Sequence, residues 1–371
     1  MTGLVDQGRI GMTINDLAKI RLLSQQIVGS KFNNAKDVLD WMGAIQAQDY
    51  GMAKWAVGTR LPDSNDNIIS AAIDEGEILR THLLRPTWHF VSNDNIYWIL
   101  DVTAQQVKNS FKSRHIQLGL TNTILRKSNS VMEKALNGGN HLTREELIVE
   151  LGKVKIATND NRASHIFAWA ELEGLICSGA TKGGKQTYAI LEERVPRRKP
   201  INKEEALATL AQKYFSSRCP ATLQDFVWWS GLTVSHAKKA LEMAAPKFIP
   251  VTYNSEVYWF TPSFSVPKAP IDEVYLLPAF DEFIISYKDR SAALPKETHK
   301  KAVSNNGIFR PVIVVNGQVA GIWKRTVNKD KVALEAVFFE SPNKTISSKV
   351  KEAAIQYGHY LDKQIEVNIK Y

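Results

Sequence analysis

Apolar residues recur at three- and four-residue steps through the first two thirds of the chain, which is the spacing of amphipathic helices. The segment INDLAKIRLLSQQIVG places Leu17, Ile20 and Leu23 on one face. The same pattern predicts helices over residues 36–48 and 66–80. Between the latter and a further helical segment, SNDNIYWILDVTAQQVKNSF, lies THLLRPTWHFVS. Its β-forming residues and single proline predict a strand or a short ribbon.

A second group of elements begins at HLTREELIVEL, where Thr143 and Glu146 have the spacing of a capping box. A helix ending in glycine follows, NRASHIFAWAELEGLICSG, and then ATKGGKQTYAILEE, which predicts a hairpin with KGGK at its tip. Two helices followed by a two-stranded wing with a basic tip are typical of a winged helix-turn-helix.

The same order of elements is predicted again after ERVPRRKPINK, a basic, proline-containing linker. Thr222 caps the first helix of CPATLQDFVWWSGLTVSHAKKALEMAA, and FIPVTYNSEVYWFTP supplies the hairpin. The first 95 residues fit the pattern as well. The repeat is one of architecture, since the segments differ in sequence.

The last third is rich in strands, and VNGQ predicts a tight hairpin turn because Asn-Gly favours positive φ. We therefore predict an α+β fold of three tandem winged helix-turn-helix units followed by a β-rich segment. The predicted units are residues 13–120, 121–195 and 200–265, and the β-rich domain with a basic hairpin is residues 270–371.

The 371 residues are 44% hydrophobic and 23% charged, which is ordinary for a soluble globular protein. No apolar run approaches the roughly 18 residues of a membrane span, and the first eleven residues lack a secretory signal. Two distant cysteines and eight histidines without metal-site spacing predict no disulfide, no metal and no cofactor. We expect a cytoplasmic protein. The net charge of +9 is either ordinary variation or the footprint of a polyanionic partner.

Basic residues concentrate near the C-terminus, where residues 281–331 hold ten Lys and Arg against five acids. Trp323, Lys324 and Arg325 combine cations with an aromatic ring, which suits a nucleic-acid surface. A solvated strand edge protected by lysines is the alternative. Within AFDEFIISYKDR, Asp281 and Arg290 are either catalytic or part of a buried ion pair that fixes a loop, and we favour the ion pair.

Arg85, Thr87 and His89 alternate along LLRPTWHFV, so they share one face if the segment is a strand. His89 is either a general acid, a phosphate ligand or a core residue. Gln46 and Gln48 raise a similar choice. On a helix they splay by about 200° and belong to the surface, whereas an extended turn would point both into a cleft. An amide is a poor general base, but its carbonyl can orient a water molecule.

The IQAQD segment, preceded by DVLDWMGA and followed by WAVGTRL, resembles the QxQ motif of the winged-helix DNA glycosylases of the AlkZ-like family. LLRPTWHFV, LLPAFDEFIISYKDR and NGQVAGIWKR resemble other stretches of that family in type and order. The resemblance implies a C-shaped clamp on DNA and monofunctional hydrolysis of the N-glycosidic bond of N7-alkylguanine, with Gln46 and Gln48 catalytic. Some relatives carry Asp at the second position, and the Gln kept here favours the crosslink-unhooking type.

The expected partner is double-stranded DNA carrying alkylated or crosslinked purines, bound by a monomer near the nucleoid. The candidate DNA-contacting residues are Arg85, Thr87, His89, Lys288, Arg290, Trp323, Lys324 and Arg325. The alternative is a winged-helix DNA-binding protein or transcriptional regulator without catalysis. No dimer-forming segment is visible in the sequence, which weighs against a regulator.

Overall fold

The computed structural model describes residues 12–197, 200–265 and 273–371. The leader of residues 1–11, part of the predicted linker (198–199) and the first residues of the predicted β-rich domain (270–272) lie outside the described residues.

The N-terminal part begins with helix α1, Ile14–Ser24, and continues with a group of three helices and three strands. These are α2 Ala35–Met42, β1 Ile45–Gln46, α3 Tyr50–Gly58, α4 Asp66–Asp74, β2 Ile78–Leu83 and β3 Thr87–Ser92. The strands form an antiparallel sheet in the order β1-β3-β2. The ribbon predicted from THLLRPTWHFVS is confirmed as β2 and β3.

The helix predicted over residues 36–48 is shorter than expected. It ends at Met42, and Gly43 then takes φ +71, a conformation that favours glycine and cannot continue the helix. Ile45 and Gln46 pair with Phe90 and His89 instead. Similarly, the helix predicted for 66–80 stops at Asp74 because its last residues belong to β2.

The second group follows the long helix α5, Ile96–Gln117. Its elements are α6 Asn122–Leu136, β4 Leu142–Thr143, α7 Arg144–Lys153, α8 Arg162–Leu172, β5 Ile176–Ser178, β6 Thr187–Ile190 and α9 Leu191–Arg194. The strand order is β4-β6-β5. The capping box of α7 is confirmed: the Thr143 N–H donates to Glu146 at 2.7 Å, and the Glu146 N–H donates to Thr143 Oγ1 at 3.2 Å.

The third group repeats this order of elements. It contains α10 Lys203–Arg218, α11 Leu223–Ser230, α12 Val234–Ala244, β7 Ile249–Tyr253 and β8 Glu256–Phe260. Ala221 forms a β-bridge with Trp259. It occupies the position in the order of elements that β1 and β4 occupy in the first two groups. As predicted, Thr222 caps α11. A helix, a short extended segment, two helices and two strands therefore follow one another three times.

The C-terminal part is a five-stranded sheet in the order β13-β12-β11-β10-β9, with helices in its connections. Its elements are β9 Val274–Leu277, α13 Glu282–Ile285, α14 His299–Ala302, β10 Val312–Val315, β11 Gln318–Val327, β12 Lys331–Phe338, α15 Lys344–Tyr360 and β13 Gln364–Lys370. Asn316 and Gly317, with φ of 49° and 80°, form the tight turn predicted from VNGQ. The fold is α+β, as predicted.

Two hydrophobic clusters meet at strand β1. One contains Ala44 and joins the first sheet to α5 and to the third group, including Trp229. The other contains Ile45 and joins α2 and α3 to the C-terminal sheet and α15. Strand β1 thus lies where three parts of the chain pack together. Among the described helices, none has the length and hydrophobicity needed to cross a lipid bilayer.

Candidate functional site

Gln46 is fixed on both its backbone and its side chain. Its N–H donates to Glu282 Oε1 at 2.8 Å, and its side-chain Oε1 accepts from Arg85 Nη2 at 2.9 Å. The residue is only 4% exposed. No partner for its amide NH₂ is found among the described residues. One lone pair of the carbonyl and both amide protons therefore remain for a substrate or a water molecule.

Gln48 follows two residues later in a bend and is exposed. The intervening Ala47 is held by its N–H, which donates to Trp88 O at 2.7 Å, and by its carbonyl, which accepts from Arg80 Nε at 3.0 Å. Residues 45–46 form a strand, so the helical interpretation of this segment is wrong. The extended turn that would point both amides into a cleft stays a prediction. The two amides differ in setting: Gln46 is enclosed, while Gln48 lies at the surface.

A buried carboxylate supports the segment from behind. Glu282 Oε2 accepts from Arg218 Nη2 at 2.8 Å, from Trp229 Nε1 at 3.0 Å and from the hydroxyl of Ser286. Burial raises the pKa of Glu282, but Arg218 and Ser286 more than offset this and bring the pKa to about 2. Glu282 is therefore charged at neutral pH.

Arg218 extends this support to the chain before Gln46. Its guanidinium donates to the carbonyls of Met42, at 2.7 Å, and Ala44, at 2.8 Å. These carbonyls flank Gly43, where α2 has ended and β1 has not begun. The turn between α2 and β1 is thereby fixed by a residue of the third group.

The neighbouring Asp281 forms a separate buried ion pair. Its carboxylate binds Arg60 through Nη1 at 3.0 Å and Nη2 at 2.9 Å, and both residues are almost fully buried. The structural interpretation of AFDEFIISYKDR is therefore confirmed, with Arg60 as the partner. Arg290, the partner that the sequence suggested, donates instead to backbone carbonyls.

Several polar atoms around Gln46 are buried without a hydrogen-bond partner among the described residues. They are Thr81 Oγ1, Arg85 Nε, Thr87 Oγ1 and His89 Nε2. Gln46, His89 and Thr81 lie directly opposite one another on the three adjacent strands, so their side chains share one face of the sheet. Unpaired buried polar atoms are rare in folded proteins, and their concentration here marks the region as a candidate site.

The charges at this sheet face are well defined. Burial, reinforced by the nearby Arg85, lowers the pKa of His89 to about 3, so its imidazole is neutral at physiological pH. His89 Nδ1 lies 3.0 Å from Thr87 O, which assigns the ring proton to Nδ1. Burial also lowers the pKa of Arg85, to about 10, and leaves it cationic. Gln46 thus faces one permanent cation and one neutral imidazole.

Two of the predicted DNA-contacting residues require correction. Trp323 is fully buried: its indole N–H donates to Leu277 O at 2.8 Å, and its ring packs edge-on against Tyr357. His89 is also fully buried. Neither side chain reaches the surface, so neither can stack on a base or bind a phosphate in this structure.

The other candidates lie nearer the surface. Lys288 and Lys324 are exposed, while Arg85, Thr87, Arg290 and Arg325 are half-buried. Arg85 and Arg290 both lie over the ring of Trp228, at 5.8 and 5.1 Å. Arg325 bonds the hydroxyl of Tyr357, and a Cβ built on Gly51 would lie 3.0 Å from its Nη2. DNA contacts by these residues stay a prediction.

The sequence did not reveal the supporting residues. Glu282, Arg218 and Arg80 each contact residues 44–47 from a distant part of the chain. Glu282 is next to Asp281, which the sequence analysis had considered. Arg218 is the last residue of helix α10, and its position in the sequence does not indicate its role. Within the described ranges, no group of three or more His, Cys, Asp or Glu is placed to hold a metal ion.

The chain is similar to known DNA glycosylases in both sequence and fold. The family model described as DNA glycosylase AlkZ-like matches residues 39–360. The interstrand DNA cross-link repair glycosylase of Streptomyces sahachiroi is 22% identical over 344 residues, covering 86% of this chain and 89% of that protein. The solved structure of the Streptomyces sahachiroi DNA glycosylase AlkZ superimposes with a TM-score of 0.81 at 19% identity, covering 96% of this chain and 99% of the other. Since the family model spans most of the sequence, including both glutamines and their supporting residues, the chain belongs to the DNA glycosylase AlkZ-like family.

Proposed function

We propose that the protein is a monofunctional DNA glycosylase that hydrolyses the N-glycosidic bond of N7-alkylated guanine, including guanine held in an interstrand crosslink. The observation that carries the proposal is the fixed amide of Gln46, with the exposed Gln48 two residues later. Membership of the AlkZ-like family and the cross-link repair activity of the Streptomyces sahachiroi relative support it.

The chemistry suits neutral side chains. Alkylation at N7 makes guanine cationic, so the base departs readily and the sugar becomes oxocarbenium-like. The enzyme then has to hold a water molecule and stabilise developing positive charge, which amide carbonyls can do. No lysine nucleophile is needed, so we expect no Schiff base and no strand cleavage.

The two glutamines take different roles in this proposal. Gln48 is exposed and contacts the attacking water at the DNA surface. Gln46, enclosed and bonded to Arg85, presents the remaining lone pair of its carbonyl to the same water or to the sugar. A positioned carbonyl costs no reorganisation during the reaction, which is the source of its catalytic effect.

We further propose that the three repeated groups of elements are winged-helix units, within residues 13–120, 121–195 and 200–265, and that residues 270–371 form the accompanying β-rich domain. Together they would embrace duplex DNA as a C-shaped clamp. One chain supplies every residue of the candidate site, which supports action as a monomer. Its DNA substrate would place it at the nucleoid.

The decisive experiment measures release of free base from a duplex containing N7-methylguanine and from a crosslinked duplex. We expect Gln46→Ala and Gln48→Ala each to slow base release about a hundredfold or more, because each removes one preorganised polar group. DNA affinity should change little, since neither substitution alters charge. The readout is the single-turnover rate at saturating protein.

Gln117→Ala is a suitable control, because this exposed glutamine ends α5 and lies outside both the QxQ segment and the residues that support it. A double variant, Gln46→Ala with Gln48→Ala, that still releases base at the wild-type rate would exclude the assignment. Tight binding to duplex with no base release by the wild-type protein would favour the non-catalytic DNA-binding alternative.

A further inference from the structure

A cleft of about 570 Å³ lies between the sheet of the first group and the wing of the second. Its walls include Tyr50 and Arg80 on one side and residues 184–188 of the wing on the other. Arg80 donates to the carbonyl of Ala47, and Tyr50 lies two residues after Gln48. The cleft therefore adjoins the QxQ segment directly.

Three cationic side chains line this cleft: Arg80, Arg144 and Lys185. Arg80 is half-buried and donates to Gln186 Oε1 at 3.0 Å. Arg144, also half-buried, donates to Ser164 at 3.1 Å. Lys185 is exposed at the wing tip, and its ammonium forms no ion pair within the described ranges. All three keep hydrogen-bond donors available for a ligand.

Two carboxylates also line the cleft, but they differ in availability. Glu171 is 1% exposed, and its oxygens accept from Trp88 Nε1 at 3.3 Å and from the backbone and ring of His82. Both carboxylate oxygens of Glu171 are therefore occupied by hydrogen bonds within the protein. Glu145 is exposed in the first turn of α7 and opposes the cations.

The aromatic rings of the cleft already contact other side chains. Tyr188 packs against Phe167, with the ring centroids 4.8 Å apart, and Arg80 lies against the other two. The Arg80 guanidinium lies over the ring of Trp88 at 4.3 Å and approaches the ring of Tyr50 at 5.7 Å. A base entering the cleft would have to displace this cation, which is itself held by Ala47 and Gln186. A ligand in the cleft would therefore meet cationic hydrogen-bond donors, which bind phosphate oxygens well.

We propose that this cleft binds the phosphodiester backbone of the damaged strand, an inference that rests on the proposed glycosylase function. Arg80 contacts the chain just before Gln48, and Arg325 lies beside Gly51 just after it. Cationic groups at both ends of this short stretch would hold the strand across Gln48. Arg144 and Lys185 extend the contact onto the second group.

The test uses undamaged duplex DNA and binding alone, so that it does not depend on base release. The variant is the double substitution Arg144→Gln with Lys185→Gln, which leaves the buried contacts of Arg80 intact. Lys153→Gln is the matched control, because Lys153 is exposed at the other end of α7, about 13 Å away. Affinity is measured by fluorescence anisotropy between about 50 and 200 mM KCl.

Each lost phosphate contact lowers the slope of log affinity against log salt by about 0.9. The double variant should therefore bind more weakly, and the magnitude of its slope should be smaller by about 1.8. Between 50 and 200 mM KCl, the factor by which wild-type affinity falls should be about twelve times the factor for the double variant. Lys153→Gln should keep the wild-type slope. Glu145→Gln should tighten binding by about two- to threefold, since it removes an opposing charge.

Equal slopes for the double variant and the Lys153→Gln control would overturn the proposal, as would a weaker affinity without a change in slope. Unfolding midpoints equal to wild type verify that the variants are folded. Base release from N7-methylguanine duplex at saturating protein is measured in parallel. Its absence in the wild-type protein would refute the glycosylase assignment, while the salt slopes would still report on the cleft.

Discussion

The contact between Arg85 and Gln46 determines how the amide of Gln46 can act in the proposed reaction. The guanidinium occupies one lone pair of the Gln46 carbonyl at 2.9 Å, which sets the plane of the amide. Arg85 remains cationic and lies over Trp228. It therefore serves in this proposal as a positioning residue for Gln46, rather than as the phosphate contact that its position in LLRPTWHFV suggested.

Arg85→Met should lower the rate of base release at saturating protein by about ten- to a hundredfold, because a freed amide loses its orientation. Binding to duplex should be nearly unchanged, since this guanidinium is directed inward. Single-turnover kinetics and binding titrations separate the two effects. Lys288→Met, at an exposed lysine, should weaken binding to duplex DNA without lowering the rate of base release. Weaker binding with an intact rate in Arg85→Met would contradict the positioning role.

The resemblance to the AlkZ-like family singled out Gln46, Gln48 and Arg85, whereas residue types and spacing left their roles open and did not tell a surface aromatic from a buried one. Trp323 precedes Lys324 and Arg325 on strand β11, and the sequence alone suggested one DNA-binding group. In the strand, Trp323 faces inward and Lys324 outward. Only the packing of α15 against the sheet, through Tyr357, shows which face is covered.

At the scale of elements, the two-residue strand β1 could not be predicted. Its pairing partner Phe90 is 45 positions away, and nothing local distinguishes a strand from a continued helix except Gly43. The hairpins, by contrast, carried local turn signals, and the helices carried caps such as Thr143 and Thr222. Turns and helix caps could therefore be predicted from local sequence. The hydrogen bonds that hold the QxQ segment could not, because they come from residues far away in the chain.

The short helix α13 supplies the carboxylate on which that support depends. Glu282→Gln should lower the free energy of unfolding by about 3–5 kcal/mol, because Arg218 would be left as a buried cation without its partner. Urea denaturation measures the change. Glu204→Gln, which breaks the exposed pair with Lys239, should have no measurable effect. An equally small effect for Glu282→Gln would show that the buried pair is not needed for folding.

For the molecule as a whole, the buried His89 links stability to pH. Its pKa is about 3 in the folded chain, against 6.5 for an unperturbed histidine, so between these values only the unfolded chain binds the proton. The histidine's contribution is fully present above pH 6.5 and is lost as the pH falls toward 3. Between pH 7 and pH 5 the loss amounts to about 2 kcal/mol.

The measurement compares wild type with His89→Asn, which cannot titrate. The difference between their free energies of unfolding, obtained from urea denaturation, should move by about 2 kcal/mol in favour of the variant as the pH falls from 7 to 5. A difference that stays constant over this range would mean that His89 titrates normally in the folded protein.

The order of elements along the whole molecule followed well from hydrophobic spacing, and the α+β class was predicted correctly. How the parts meet could not be derived in the same way. Glu282 and Arg218 lie more than 170 positions from the residues that they hold. A single sequence contains no record of such distant pairings, so the environment of Gln46 emerged only from the folded chain.

The bond from Gln46 to Glu282 spans 236 positions and has a consequence for biosynthesis. While the polypeptide emerges from the ribosome, the carboxylate that anchors Gln46 is translated 236 residues after the glutamine itself. A nascent or prematurely terminated product therefore lacks the anchored glutamine. An activity that removes bases from the genome would in this way be confined to polypeptides that have been synthesised beyond Glu282.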